Sequence, residues 1–143
     1  MLRRYRDVFA SLRSHEVKYV VIGGIAAVSH GVPRATFDLD ILIEASMENA
    51  VRLVDALRSC GVGSAWLTTP EEILAHEITI FKDTVRLDVQ TSTPGIQFND
   101  AWRDHREMVV DEYVFYVLSK EHLIQSKRAA GRKVDLDDID ALS

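Results

Sequence analysis

Cysteine is almost absent from this chain. One residue in 143, Cys60, leaves no pair for an internal disulfide. That excludes a disulfide-stapled scaffold and suits a reducing, cytoplasmic setting. Proline is scarce as well: three residues, scattered, with no linker, repeat or low-complexity segment to mark a domain boundary. The length is expected to form one domain over residues 1–143, enough to bury a core. No apolar run reaches the roughly 18 residues of a membrane span. The opening stretch MLRRYRDVFASLRSHE carries acids and lacks a long apolar centre, so it does not read as a signal peptide. A basic excess is also missing. Lys and Arg number 17 against 22 Asp and Glu, net −5, which argues against a broad nucleic-acid-binding surface but leaves room for a local phosphate site. The five histidines are dispersed, without close metal-ligand spacing. His30 in particular reads as a structural hydrogen-bonder.

What is present centres on Val20 to Glu44, VVIGGIAAVSHGVPRATFDLDILIE. Val17–Ile22 reads as a buried strand, Gly23 and Gly24 follow, and Ile25–Ser29 reads as a short helix stopped by His30, Gly31 and Pro33. Phe37–Ile43 reads as a second strand. Its period of two sets Phe37, Leu39, Ile41 and Ile43 on one face and Asp38, Asp40, Leu42 and Glu44 on the other. Two like charges side by side on a core strand repel, and a bound cation removes the objection.

The flanks supply supporting elements. Leu2–His15 has the apolar spacing of an amphipathic helix, its arginines read as a solvated face. Ser46 caps a helix from Met47 to about Cys60, and Pro70 opens a short one ending at Ala75. Glu77–Phe81 and Val85–Thr91 alternate around a turn at Lys82-Asp83-Thr84 and predict a hairpin. Arg86, Asp88 and Gln90 share one face of its second arm, so Asp88 is a third carboxylate on an otherwise apolar strand. Phe98–His105 predicts a short helix. Met108–Val110 and Tyr113–Leu118 predict two strands, and Ser119 a helix to about Ala130 closed by Gly131. A last helix is expected after Asp135, with Asp138 three residues on as a capping-box variant; Asp135, Asp137 and Asp138 are read as capping and charging its start, not as metal ligands.

Three aspartates on the polar faces of two strands suggest a divalent-metal site, because hard carboxylate oxygens suit Mg²⁺ held together with phosphate oxygens. A glycine pair between strand and helix lets backbone N–H groups approach an anion. Lys127 has Leu123, Ile124 and Ala130 as helical neighbours. It either snorkels to the edge of that apolar face or reaches a phosphate, and Lys120 lies one or two turns earlier. Arg34 touches a phosphate or pairs with an acid; Thr36 shapes the loop.

The order Gly23-Gly24, thirteen residues, Asp38-x-Asp40, then Asp88 resembles the nucleotidyltransferase superfamily that includes DNA polymerase β. Within it, GGIAAVSHGVPRATFDLDILI, RLDVQT and LIQSKRAAGRKVDLDDI are similar to small bacterial nucleotidyltransferase-like proteins, including AbiEii-type toxin–antitoxin components. The resemblance covers roughly Tyr19 to Ile139. It implies an α+β nucleotidyltransferase fold, a small mixed sheet flanked by helices. It implies Mg²⁺-dependent (or Mn²⁺-dependent) transfer of a nucleoside monophosphate from a nucleoside triphosphate such as ATP to an acceptor, with release of pyrophosphate. Asp38, Asp40 and Asp88 would be the catalytic, metal-holding residues. Gly23 and Gly24 would contact the triphosphate, with Arg34, Lys127 and Lys120 as further nucleotide-binding candidates. The competing reading is a catalytically silent nucleotide-binding or antitoxin-type module. The intact aspartate set favours the enzyme. The small size favours help in acceptor binding from a partner protein or a second copy, with no membrane involved.

Overall fold

The computed structural model describes residues 2–36, 38–110 and 112–143. The chain opens with a 3₁₀ turn, Leu2–Tyr5, that runs into α1 (Arg6–Ser14). There follow β1 (Tyr19–Ile22), α2 (Gly23–Ser29), β2 (Leu39–Ile43) and α3 (Met47–Ser59). A 3₁₀ segment, Gly63–Leu67, and α4 (Pro70–Ala75) lead to the hairpin β3 (Ile78–Lys82) and β4 (Arg86–Gln90). The rest is α5 (Phe98–Arg103), β5 (Arg106–Val110), β6 (Tyr113–Val117), α6 (Lys120–Ala130) and α7 (Lys133–Leu142).

The strands form one mixed sheet in the order β3-β4-β2-β1-β6-β5. β1 and β2 are antiparallel, β2 and β4 parallel, and β1 and β6 parallel, with antiparallel hairpins at both edges. The runs read as strands at Val17–Ile22, Phe37–Ile43, Glu77–Phe81 and Val85–Thr91 all contribute to this one sheet. Phe37, the expected first residue of the second strand, lies outside the described residues, and the ladder begins at Leu39. The central strands β1 and β2 are buried nearly end to end, since both faces meet other elements. β3 and β4 alternate instead. Leu87, Val89 and Phe81 are buried, while Ile78 and Ile80 are half exposed across from Gln90 and Asp88. This part of the sheet therefore has one covered and one open face, and Asp88 is on the open one.

Helix caps follow the local chemistry. Ser46 and Thr69 accept the N–H of Asn49 and Glu72, and Ser119 that of His122, each three residues on. Asn49, 2% exposed, donates to the carbonyls of Lys18 and Glu44 and accepts from the Lys18 N–H, tying α3 to the ends of β1 and β2. Ser11 on α1 donates to the Ala56 carbonyl of α3 at 2.6 Å. His30 ends α2, and its Nε2 meets the Leu118 carbonyl at 2.7 Å, the structural role expected of it.

The last helix corrects the sequence reading. It starts at Lys133, not after Asp135, and its cap is Arg132. Asp135 sits in the first turn and accepts from the Arg132 backbone N–H at 3.1 Å, so the acid that closes this helix start is Asp135, three residues after Arg132, rather than Asp138, three residues after Asp135.

Candidate active site

Strand register creates the acid pair. β2 and β4 run parallel with Asp40 opposite Asp88, and Ile22, the last residue of β1, opposite Asp40. The chain turns straight from Ile22 into α2, so Gly23 comes to lie against Asp40. Gly23 has φ +68°, a left-handed conformation, and a methyl there would overlap the Asp40 carboxylate. A methyl on Gly24 would sit 2.6 Å from Thr36 Oγ1 and 3.2 Å from Arg34 Nη2. The two glycines are thus packed under an acid on one side and a guanidinium and a hydroxyl on the other. Gly23→Ala is expected to cost at least about 1 kcal/mol through backbone strain alone, and more through displacement of Asp40; equilibrium denaturation checks it.

Asp40 is pushed up to about 7. Burial is the main cause, followed by the charge of Asp88, a hydrogen bond shared with Asp88, and the charge of Asp38; Arg86 opposes them. Arg86, two residues before Asp88 on the same strand face, reaches Asp88 at 3.2 Å and Asp38 at 3.7 Å. Its guanidinium is the site's own counter-charge. Tyr5 Oη donates to the Arg86 carbonyl at 2.8 Å and accepts the Leu39 N–H at 3.2 Å, which pins the starts of β2 and β4 beside these acids.

The three expected aspartates are therefore brought to one place but not yet onto one point. Asp40 and Asp88 are direct neighbours, while Asp38, half exposed, joins them through Arg86. Among the described residues, no three His, Cys, Asp or Glu side chains converge as a metal cluster. The donor chemistry nonetheless fits a hard divalent cation: carboxylate oxygens only, with Asp40 raised first by burial and then by the charges of its neighbours.

Of the cationic candidates, Lys127 is placed differently from expectation. Lys127, on α6, is 5% exposed, with Nζ 2.8 Å from Asp138 and 3.7 Å from Asp135. The sequence showed no structural partner for it, and the structure supplies two, on α7. Arg34 pairs with an acid, one of its two open readings: Nε and Nη2 donate to Asp138 at 2.9 and 2.8 Å, while Nη2 also borders Gly24. Lys120 is exposed at the start of α6, with no ion pair among the described residues. Asp137 remains at the surface, paired with Lys133.

Asp135 and Asp138, both 1% exposed, are the residues that sequence reasoning underrated. Burial alone would raise both. In Asp138 the bonds from Arg34 and Lys127 outweigh burial, and in Asp135 those from Arg132 do, so both titrate below the usual carboxylate range. Arg86 was also missed, although its place on the Asp88 face was legible.

The chain belongs to a family described as nucleotidyltransferase of unknown function (DUF6036), which matches residues 4–143. Two solved structures share the fold. A protein from Thermotoga maritima, named as a candidate nucleotidyltransferase, is 17% identical with a TM-score of 0.61, over 97% of this chain and 89% of that one. An antigenic nucleotidyltransferase-like protein from Paracoccidioides brasiliensis is also 17% identical with a TM-score of 0.65, over 99% of this chain and 74% of that one. No curated protein matches.

Proposed function

We propose that the chain is an active nucleotidyltransferase that moves a nucleoside monophosphate from a nucleoside triphosphate to an acceptor hydroxyl. The observation that carries this is the parallel register that sets Asp40 against Asp88 at the end of the glycine turn. A fold has no packing reason to keep an acid pair with one member held near pKa 7 at that spot.

Asp38, Asp40 and Asp88 would hold Mg²⁺ or Mn²⁺, which when bound neutralises charge on the phosphate oxygens. The amides that follow Ile22, and Arg34, fixed beside Gly24, would bind the phosphate chain. The acceptor oxygen bonds to the α-phosphorus and the bond to the β-phosphate bridging oxygen breaks. Pyrophosphate leaves with that electron pair, and the hydroxyl proton passes to Asp88. The chain's task is positioning and charge stabilisation rather than covalent catalysis. Kinship with AbiEii-type toxin–antitoxin components rests on the motif stretches alone.

The test is incubation with each labelled nucleoside triphosphate, Mg²⁺ and cell lysate. Label is expected in one acceptor class, and Asp88→Ala is expected to abolish it at unchanged fold, judged by circular dichroism. Equal labelling by parent and Asp88→Ala would refute the assignment.

A further inference from the structure

The network around α7 contains an arrangement that core packing does not require. Asp135 and Asp138 are buried acids one helical turn apart, and one buried ammonium, Lys127, lies between them. One cation cannot balance two buried carboxylates. Each acid therefore takes a second cation from the surface. Asp138 takes Arg34 through two bonds. Asp135 takes Arg132 through two side-chain bonds, 2.7 Å from Nε and 3.1 Å from Nη2. Arg132 stays 71% exposed while held in this fork. An exposed arginine is ordinarily free to move, but this one is anchored at its head group.

The two guanidiniums are linked through Lys127, whose Nζ lies 2.8 Å from the Asp138 carboxylate that holds Arg34 and 3.7 Å from the Asp135 carboxylate that holds Arg132. Arg34 Nη2 borders Gly24. Two cations held on a pair of neighbouring acids repel, and an anion that both reach removes the repulsion. Each arginine has five N–H donors and spends two on its aspartate, leaving three for a ligand.

We propose that Arg34 and Arg132, each locked by a buried aspartate of α7, form a two-arginine clamp for the pyrophosphate portion of the nucleotide. Arg132 is the new contact residue, and Asp135 and Asp138 are its positioning residues. Lys127 is the buried counter-ion that lets both acids stay charged. The inference rests on the nucleotidyltransferase reading for its ligand, yet the clamp can be tested with an inorganic anion alone. Preorganisation is the physical gain: the fork geometry is set before the ligand arrives, so less side-chain entropy is lost on binding.

The experiment is calorimetric titration of the full chain with inorganic pyrophosphate, together with the melting shift that pyrophosphate produces relative to each variant's own ligand-free value. That second readout cancels any intrinsic stability change. The parent is expected to bind. Arg132→Gln and Arg34→Gln are each expected to bind about ten- to a hundredfold more weakly, as loss of a charge-assisted bond implies. Arg132→Lys, which keeps the charge beside Asp135 but not the fork, is expected to fall between. Unchanged affinity in Arg132→Gln, or no pyrophosphate binding by the parent, overturns the clamp. Nucleotide transfer by the parent is scored separately. Transfer with no effect of Arg132→Gln on pyrophosphate removes the clamp and leaves the enzyme. Pyrophosphate binding that depends on both arginines, without transfer of any nucleotide, removes the enzyme reading and keeps the clamp.

Discussion

Asp40→Asn is expected to melt several degrees above the parent at pH 8, no higher at pH 4, and to transfer no nucleotide. Asp40 is raised from 3.8 to about 7 in the folded chain. A raised carboxyl holds its proton more tightly in the folded state than in the unfolded one. The stability it contributes is present below pH 4 and is lost as pH climbs through 7. Asparagine carries no charge to repel Asp88 and can donate to it, so the variant escapes that loss. The shift corresponds to on the order of 4 kcal/mol at most, and a chain of this size gains roughly 3 °C or more for each kcal/mol. Divalent cation with nucleotide should stabilise the parent more than the variant, since the variant has given up one oxygen donor's charge. Thermal melts at the two pH values, with and without Mg²⁺ and nucleotide, measure all of this. An equal gain at both pH values would show that Asp40 is not the strained acid.

Lys127→Met is expected to destabilise the fold strongly, by about 3–5 kcal/mol, because it leaves two buried carboxylates short of their shared cation. On the sequence alone the same substitution is expected to cost little, since methionine keeps the stem's packing and the ammonium is read as facing a cleft. Burial at 5% exposure reverses that expectation. The loss should be largest at neutral pH. Asp135 and Asp138 have depressed folded values, so their stabilising effect is present above about pH 4 and fades as pH falls through those values. Urea melts at pH 7 and pH 3 read it, and Asp138→Asn combined with Lys127→Met should recover part of the loss, as directly coupled residues do. A Lys127→Met chain as stable as the parent at pH 7 would place the ammonium in solvent.

Much of the fold was legible because its signals are local. The alternation in Phe37–Ile43 and Val85–Thr91, the serine caps at Ser46 and Ser119, and the left-handed Gly131 depend on neighbours a few residues away. So did the acid character of the site, since period two alone puts Asp38 and Asp40 on one face. Charge partners were not legible. Arg34 and Asp138 are 104 residues apart, and nothing local distinguishes an aspartate that caps a helix from one that neutralises a buried lysine.

The elements, the glycine turn and the strands that carry carboxylates follow from local sequence, because backbone preference and side-chain period act over a few residues. The assembled fold alone sets Asp40 against Asp88, bridges Asp38 to Asp88 through Arg86, and turns the acids of α7 onto Lys127, Arg34 and Arg132. Those contacts depend on parallel strand register and on the docking of α7 against α6. Coulomb attraction and desolvation act through space, and distance along the chain does not encode them.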